Sequence, residues 1–185
     1  MKKNLTLKLT YSALCLALCQ VLPLLTGQIP QVGNMLCPMH LPVFLCGFLC
    51  SMPYGAFVGF VAPLLRFLIF GMPPLYPTAL AMAFELAAYG FFSGLFYKVF
   101  PKKFFFIYPA LILSMLIGRG IWGLARFIMA SVDQTTFTLK IFLAGAFTTA
   151  FPGIVLQIVL VPLLLLALKK AGLMPTAREK KSANG

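Results

Sequence analysis

Long apolar stretches dominate the chain, and glycine and proline mark most of the joins between them. A helix needs about 20 mainly apolar residues to cross the hydrocarbon core of a bilayer. The pattern therefore predicts six membrane-spanning helices, near residues 7–27, 36–51, 54–71, 78–99, 104–131 and 138–168. The second and third predicted spans are short, and only Ser51, Met52 and Pro53 separate them.

The composition agrees with a membrane protein and excludes two other classes of protein. Of the 185 residues, 61% are hydrophobic and 10% are charged, whereas about 25% of the residues in a soluble domain are charged. Such a chain could neither hide its apolar surface in one soluble core nor remain disordered. We expect an all-α integral membrane domain over residues 1–174, forming one compact bundle, and a polar cytoplasmic tail over residues 175–185.

The distribution of Lys and Arg predicts the orientation of this bundle. Eleven of the fifteen basic residues flank the predicted spans on one side. They are Lys2, Lys3, Lys8, Lys98, Lys102, Lys103, Lys169, Lys170, Arg178, Lys180 and Lys181. Loops rich in Lys and Arg face the cytoplasm, so both termini are predicted to be cytoplasmic, in a multi-pass protein of the cell membrane. The net charge of +12 is then mostly a topology signal, and we expect no nucleic-acid partner.

Ionisable residues inside the predicted spans are candidates for a binding site, because such groups are costly in a bilayer. From the rise of an α-helix, Arg66, Glu85 and Arg126 should lie roughly 7–11 Å below the outer surface. Arg119 should lie about 10 Å deeper than Arg126 on the same helix face. Aromatic and polar neighbours complete the predicted site. The candidate substrate-binding residues are Asn34, His40, Arg66, Glu85, Tyr89, Arg119, Trp122 and Arg126.

Structural roles compete with this interpretation. Arg66 and Glu85 could pair to hold two helices together, and Arg119 and Arg126 could bond carbonyl groups at broken helix ends. Lys140 could extend to the interface, and His40 could be an ordinary loop residue. A single carboxylate nevertheless leaves surplus positive charge in the outer half of the bundle. A substrate with a carboxylate or phosphate would fit that surplus.

Small residues at helical spacing predict close helix packing. Gly55 and Gly59 form one such pair, and Ala79, Ala83, Ala87, Gly90 and Gly94 form a strip along the next span. Ala13 and Ala17 in the first span could pack internally or face a partner protein.

The sequence carries no recognisable motif for catalysis or metal binding. It contains no GxxxxGK[ST] phosphate loop and no HExxH or GxSxG motif, and these would be the signatures of ATP, peptide or ester hydrolysis. Its five cysteines lack the spacing of a zinc site and suit small apolar packing positions. We expect no enzyme activity, no cofactor and no metal.

Several short motifs, in order, resemble the substrate-binding S components of energy-coupling factor (ECF) transporters. The residues that carry the resemblance are Ala13-x-x-x-Ala17, Met39-His40-Leu41-Pro42-Val43, Gly47-Phe48, Tyr54-Gly55-Ala56-Phe57-Val58-Gly59, Pro63-Leu64-Leu65-Arg66, Gly71-Met72-Pro73-Pro74 and Phe84-Glu85-Leu86-Ala87-Ala88-Tyr89-Gly90. They cover about half of the chain, and the last two spans match in hydropathy only.

The resemblance implies high-affinity capture of a vitamin or related micronutrient from outside the cell. It also implies partners, namely a transmembrane coupling protein and two cytoplasmic ATPases that supply the energy. Ala13 and Ala17 would contact the coupling protein, and the loop from Gln28 to Cys37 would act as a gate. The surplus of arginine favours an anionic substrate such as pantothenate. A self-sufficient transporter or channel and a membrane scaffold remain the competing hypotheses.

Overall fold

Helices account for nearly all of the described structure. The computed structural model describes residues 2–25, 35–101 and 103–173. The helices are α1 Lys2–Leu25, α2 His40–Cys50, α3 Met52–Phe70, α4 Leu80–Val99, α5 Ile107–Val132, α6 Leu139–Leu143 and α7 Phe151–Lys170. A π-helical turn, Leu75–Ala79, leads into α4, a 3₁₀ turn, Phe104–Phe106, precedes α5, and a second π-helical turn, Ala144–Thr149, joins α6 to α7. The all-α prediction is thus confirmed for these residues.

Five helical segments are long and apolar enough to cross a membrane. They are Leu5–Leu24, Met52–Phe70, Leu75–Val99, Phe104–Val132 and Phe151–Lys170. The predicted sixth span was placed too early, because residue 138 precedes the short α6 and the long helix begins only at Phe151.

The predicted span over residues 36–51 contains a helix that is shorter than a bilayer crossing. α2 has 11 residues, which corresponds to about 16 Å, or half of the hydrocarbon thickness. All of its residues are buried, so the other helices surround it. Its direction is opposite to that of α1, since Met39 lies beside Cys19 and Cys46 lies beside Ser12. α2 therefore returns the chain through the interior of the bundle, and the count of six full spans is not established.

Helices α1 to α5 alternate in direction, which gives the bundle two distinct ends. At one end, the Tyr11 hydroxyl of α1 donates to the Leu173 carbonyl just after α7, at 2.9 Å. We call this the lysine end, and its described lysines include Lys98, Lys103, Lys169 and Lys170.

At the other end, Arg66 of α3 bonds the Gln20 carbonyl of α1, and the Tyr76 hydroxyl donates to the Met129 carbonyl of α5. We call this the arginine end, because it holds Arg66 and Arg126. Lys98, Lys103, Lys169 and Lys170 thus lie at one end of the bundle, as the distribution of Lys and Arg in the sequence predicts.

Glycine contacts hold α2, α3 and α4 together, as the small-residue pattern predicts. A Cβ atom on Gly90 would collide with the backbone of Gly55, and one on Gly59 would collide with the carbonyl of Leu86. A Cβ atom on Gly55 would lie only 2.8 Å from the Cα atom of Gly47. The backbones can approach this closely only because these residues have no side chain.

We predict that Gly90→Ala lowers the stability of the protein, because its methyl group has only backbone atoms to displace. Overpacking of this kind costs about 1–3 kcal/mol, so the unfolding temperature in detergent should fall by roughly 5 °C. Gly120→Ala is the matched control, since Gly120 is exposed and has no neighbouring atom within 4 Å. If both variants unfold at the same temperature, the proposed packing of α3 against α4 is wrong.

Candidate functional site

A buried ion pair lies at the centre of the candidate site. Glu85 of α4 and Arg119 of α5 approach to 2.9 Å between Oε1 and Nη1. The side chains are 2% and 9% exposed, respectively. Removing a charge from water costs several kcal/mol, which a close partner of opposite charge can offset. The two residues therefore depend on each other for burial in their charged forms.

Two further groups surround the same carboxylate oxygen. Tyr89 follows Glu85 by about one helical turn, and its hydroxyl donates to Oε1 at 2.7 Å. His40, at the start of α2, places Nε2 at 3.7 Å from this oxygen, and its ring centroid lies 5.3 Å from that of Tyr89. We call His40, Glu85, Tyr89 and Arg119 the interior cluster. All four residues are buried.

A glycine on α5 makes room for the aromatic member of this cluster. A Cβ atom at Gly118 would collide with the ring of Tyr89. Gly118 directly precedes Arg119, so the same helical turn supplies the arginine and the space for the tyrosine ring.

Cys37 and Gln157 connect the interior cluster to α7. Arg119 Nη2 contacts the Cys37 thiol at 3.8 Å. The side-chain amide of Gln157 donates to the Cys37 carbonyl at 3.5 Å. The sequence interpretation missed both residues, since it started from the ionisable groups of the earlier spans and treated the cysteines as apolar packing residues. A polar glutamine in the apolar stretch of α7 that precedes its two terminal lysines was the signal that could have identified this contact.

Trp122 and Arg126 lie closer to the arginine end, on the α5 face that carries Arg119. Trp122 stacks on Phe142 of α6 at 6.2 Å between ring centroids and meets Phe137 edge-on at 6.1 Å. The guanidinium carbon of Arg126 lies 5.8 Å from the ring centroid of Phe137. We call Trp122, Arg126, Phe137 and Phe142 the upper cluster. It has an aromatic surface with one cation beside it.

Arg126 has unused hydrogen-bonding capacity. Its Nε atom is buried and has no hydrogen-bond partner among the described residues. A buried donor without a partner carries a free-energy cost. Among the described residues, Arg119 pairs with Glu85 and Arg126 faces Phe137, and no carbonyl partner is seen for either arginine.

Arg66 does not join either cluster, and the alternative in which it pairs with Glu85 is wrong. Its Nη1 donates to the Gln20 carbonyl at 3.0 Å, and its guanidinium carbon lies 5.0 Å from the Phe70 ring centroid. Gln20 in turn donates to the Ala62 carbonyl at 3.0 Å. These bonds connect α1 to α3, because the position of Arg66 on α3 brings it to the C-terminal part of α1 rather than to α4.

Some of the remaining predicted residues lie outside the described part of the chain, and the others lie on α1. Asn34, most of the proposed gate from Gln28 to Cys37, and the tail over residues 175–185 lie outside the described residues. Ala13 and Ala17 are exposed on α1. Around them on the same helix, Leu9, Leu14 and Val21 are also exposed, so this apolar face has no intramolecular partner in the described structure.

The electrostatic balance differs from the one expected from residue counts. Glu85 and Arg119 neutralise each other inside the protein. The positive surplus near the site therefore resides in Arg126 rather than in a set of three arginines. Across residues 2–25, 35–101 and 103–173, no group of three or more His, Cys, Asp or Glu side chains is arranged to hold a metal ion.

The comparisons with known proteins give one match. The family model for the substrate-specific component of ECF transporters matches residues 7–165 of this chain. Among curated proteins and solved structures, none matches the chain.

We predict that Arg119→Met strongly destabilises the protein, because it leaves the Glu85 carboxylate buried without its cation. Loss of one partner from a buried pair costs about 3–5 kcal/mol. The double variant Glu85→Gln/Arg119→Met should recover most of this loss, since it removes both charges. Thermal unfolding in detergent compares the stabilities of the parent protein, the single variant and the double variant. A single Arg119→Met variant as stable as the parent protein would show that the pair does not hold the interior together.

Proposed function

Because this chain belongs to the substrate-specific components of ECF transporters, we propose that it captures one micronutrient with high affinity for an ATP-driven importer. We propose further that the substrate carries a carboxylate, as pantothenate does. The chain would bind the substrate and hydrolyse no ATP itself, because its sequence has no GxxxxGK[ST] loop to hold the phosphates of a nucleotide.

The observation that supports a carboxylate substrate is the buried Nε of Arg126, for which the described part of the chain offers no hydrogen-bond partner. The guanidinium group presents several N–H donors in a fixed plane that matches a carboxylate. The neighbouring cation Arg119 is already paired with Glu85, so Arg126 is the arginine best able to accept an external anion. Trp122 and Phe137 beside it would contact the apolar part of the substrate.

The segment formed by α6 and the following π-helical turn is a candidate cover for this site. Phe142 stacks on Trp122, and a Cβ atom on Gly145 would lie 3.0 Å from the Trp122 ring. Most residues of the segment are exposed, so few contacts hold it in place. Loosely packed segments open at a lower free-energy cost than core helices, which would allow a substrate to enter from the arginine end.

The orientation proposed for the protein follows from its charges. The lysine end would face the cytoplasm of the plasma membrane, as the preference of Lys and Arg for cytoplasmic loops predicts. The arginine end and the upper cluster would then face outward, where an importer must capture its substrate. The exposed Ala13 and Ala17 would pack against the transmembrane coupling protein, which connects the chain to two cytoplasmic ATPases.

We expect the purified protein to bind pantothenate at least tenfold more tightly than pantothenol, which has an alcohol in place of the carboxylate. Arg126→Gln should remove most of this preference, since a hydrogen bond to a charged group contributes about 1.5–3 kcal/mol, or roughly 10- to 150-fold in affinity. Isothermal titration calorimetry in detergent measures the affinities. Lys140→Gln is the matched control, because it removes one positive charge from an exposed side chain near the same end.

The possible outcomes test the proposed anionic substrate and the proposed capture function separately. If Arg126→Gln binds pantothenate as the parent does, the proposed anion site is wrong. If neither compound binds but mass spectrometry finds another vitamin in the purified protein, the capture function stands and the pantothenate-like substrate is rejected.

We predict that Ala13→Trp or Ala17→Trp prevents assembly with the coupling protein and leaves substrate binding unchanged. A bulky ring would hold the partner helix away from the small-residue surface. Co-purification with the coupling protein and the ATPases measures assembly. Ala167→Trp is the control, because it places the same ring at an exposed alanine of α7. Loss of substrate binding together with assembly would instead make Ala13 and Ala17 part of the internal packing.

A further inference from the structure

A recess lies at the lysine end, remote from both clusters. It is formed by the end of α4, the start of α5 and the last turns of α7. Its lining residues are Tyr97, Lys103, Phe104, Ile107, Leu165, Leu166 and Lys169. The recess is shallow and open to solvent, with a cavity volume of about 20 Å³. Neither the interior cluster nor the upper cluster contributes a residue to it.

The lining combines a cationic rim with an apolar floor. Lys103 and Lys169 are both exposed, and the described residues offer neither ammonium group an acidic or hydrogen-bonding partner. Tyr97 is half-buried, with its ring packed edge-on against Phe48 at 5.5 Å. Ile107 and Leu165 are buried at the base. This arrangement matches a ligand with an anionic head and an apolar body.

The position of the recess indicates what that ligand is. It lies where three long apolar helices end, at the level of the bundle that carries the flanking lysines. Basic pockets between membrane helices bind the headgroups of anionic lipids at this level, and tyrosine is favoured there too. A water-soluble phosphate compound has no apolar part that could contact Phe104 and Leu166.

We propose that this recess binds the phosphate of an anionic glycerophospholipid, with Lys103 and Lys169 contacting the phosphate and the first acyl carbons lying against Phe104 and Leu166. The lipid would contact the α4–α5 connection and the end of α7 together. This site is independent of the substrate proposed above.

Native mass spectrometry of the full chain in detergent, with equal amounts of phosphatidylglycerol and phosphatidylcholine, tests the proposal. The protein should retain phosphatidylglycerol at least about tenfold better than phosphatidylcholine, given the contribution of each lysine near an anionic headgroup. Lys103→Gln/Lys169→Gln should lose most of this preference. Lys98→Gln/Lys170→Gln is the matched control, since both lysines are exposed at the same end and neither lines the recess.

Each outcome supports or overturns the proposal. Retention that falls only in Lys103→Gln/Lys169→Gln supports it. An equal fall in both pairs would show general attraction to the basic end, and displacement of the lipid by glycerol phosphate at similar concentration would show a site for free phosphate compounds. If the parent retains no phosphatidylglycerol and Lys103→Gln/Lys169→Gln instead fails to assemble with the coupling protein, the recess is a protein contact. These last three results overturn it.

Discussion

Glu85 is the one carboxylate that the described helices bury in the bundle, and Arg119 balances its charge from 2.9 Å away. The pair constrains the rest of the interior. Tyr89 and His40 approach the same oxygen, and Arg119 reaches Cys37, whose carbonyl accepts from Gln157. Polar contacts around one ion pair thus connect α2, α4, α5 and α7. Such networks require all their members in place, since each unpaired group in the interior is costly.

Close packing supplies the second constraint, and it separates the roles of the helices. The glycines of α2, α3 and α4 let these helices pack backbone to backbone, which forms a rigid unit beside the ion pair. α5 belongs to this unit through Arg119, and it carries Trp122 and Arg126 on the same face toward the arginine end. α6 covers that face through aromatic contacts. The architecture therefore places a fixed interior beneath a more loosely covered surface, as a binding subunit requires.

The sequence predicted those features that depend on local pattern. Hydropathy identified the five long helices, and small residues at helical spacing indicated that Gly55 and Gly90 each lie on a closely packed helix face. The ionisable residues within spans included Glu85 and Arg119, which form the central pair. The partner of each polar side chain could not be predicted, because it depends on which helices are neighbours in the bundle. Arg66 bonds Gln20 rather than Glu85 for that reason. The complete burial of α2 could not be predicted either, since a fully buried helix is as apolar as one that faces lipid.

The central claim is that this chain binds a substrate but cannot transport it alone, and uptake into proteoliposomes tests that claim most directly. The compound recovered from the purified protein would be supplied in radiolabelled form to liposomes that contain the chain alone or together with the coupling protein and both ATPases. We predict accumulation only when the complete set of proteins and internal ATP are present. Accumulation by the chain alone, without ATP, would contradict it.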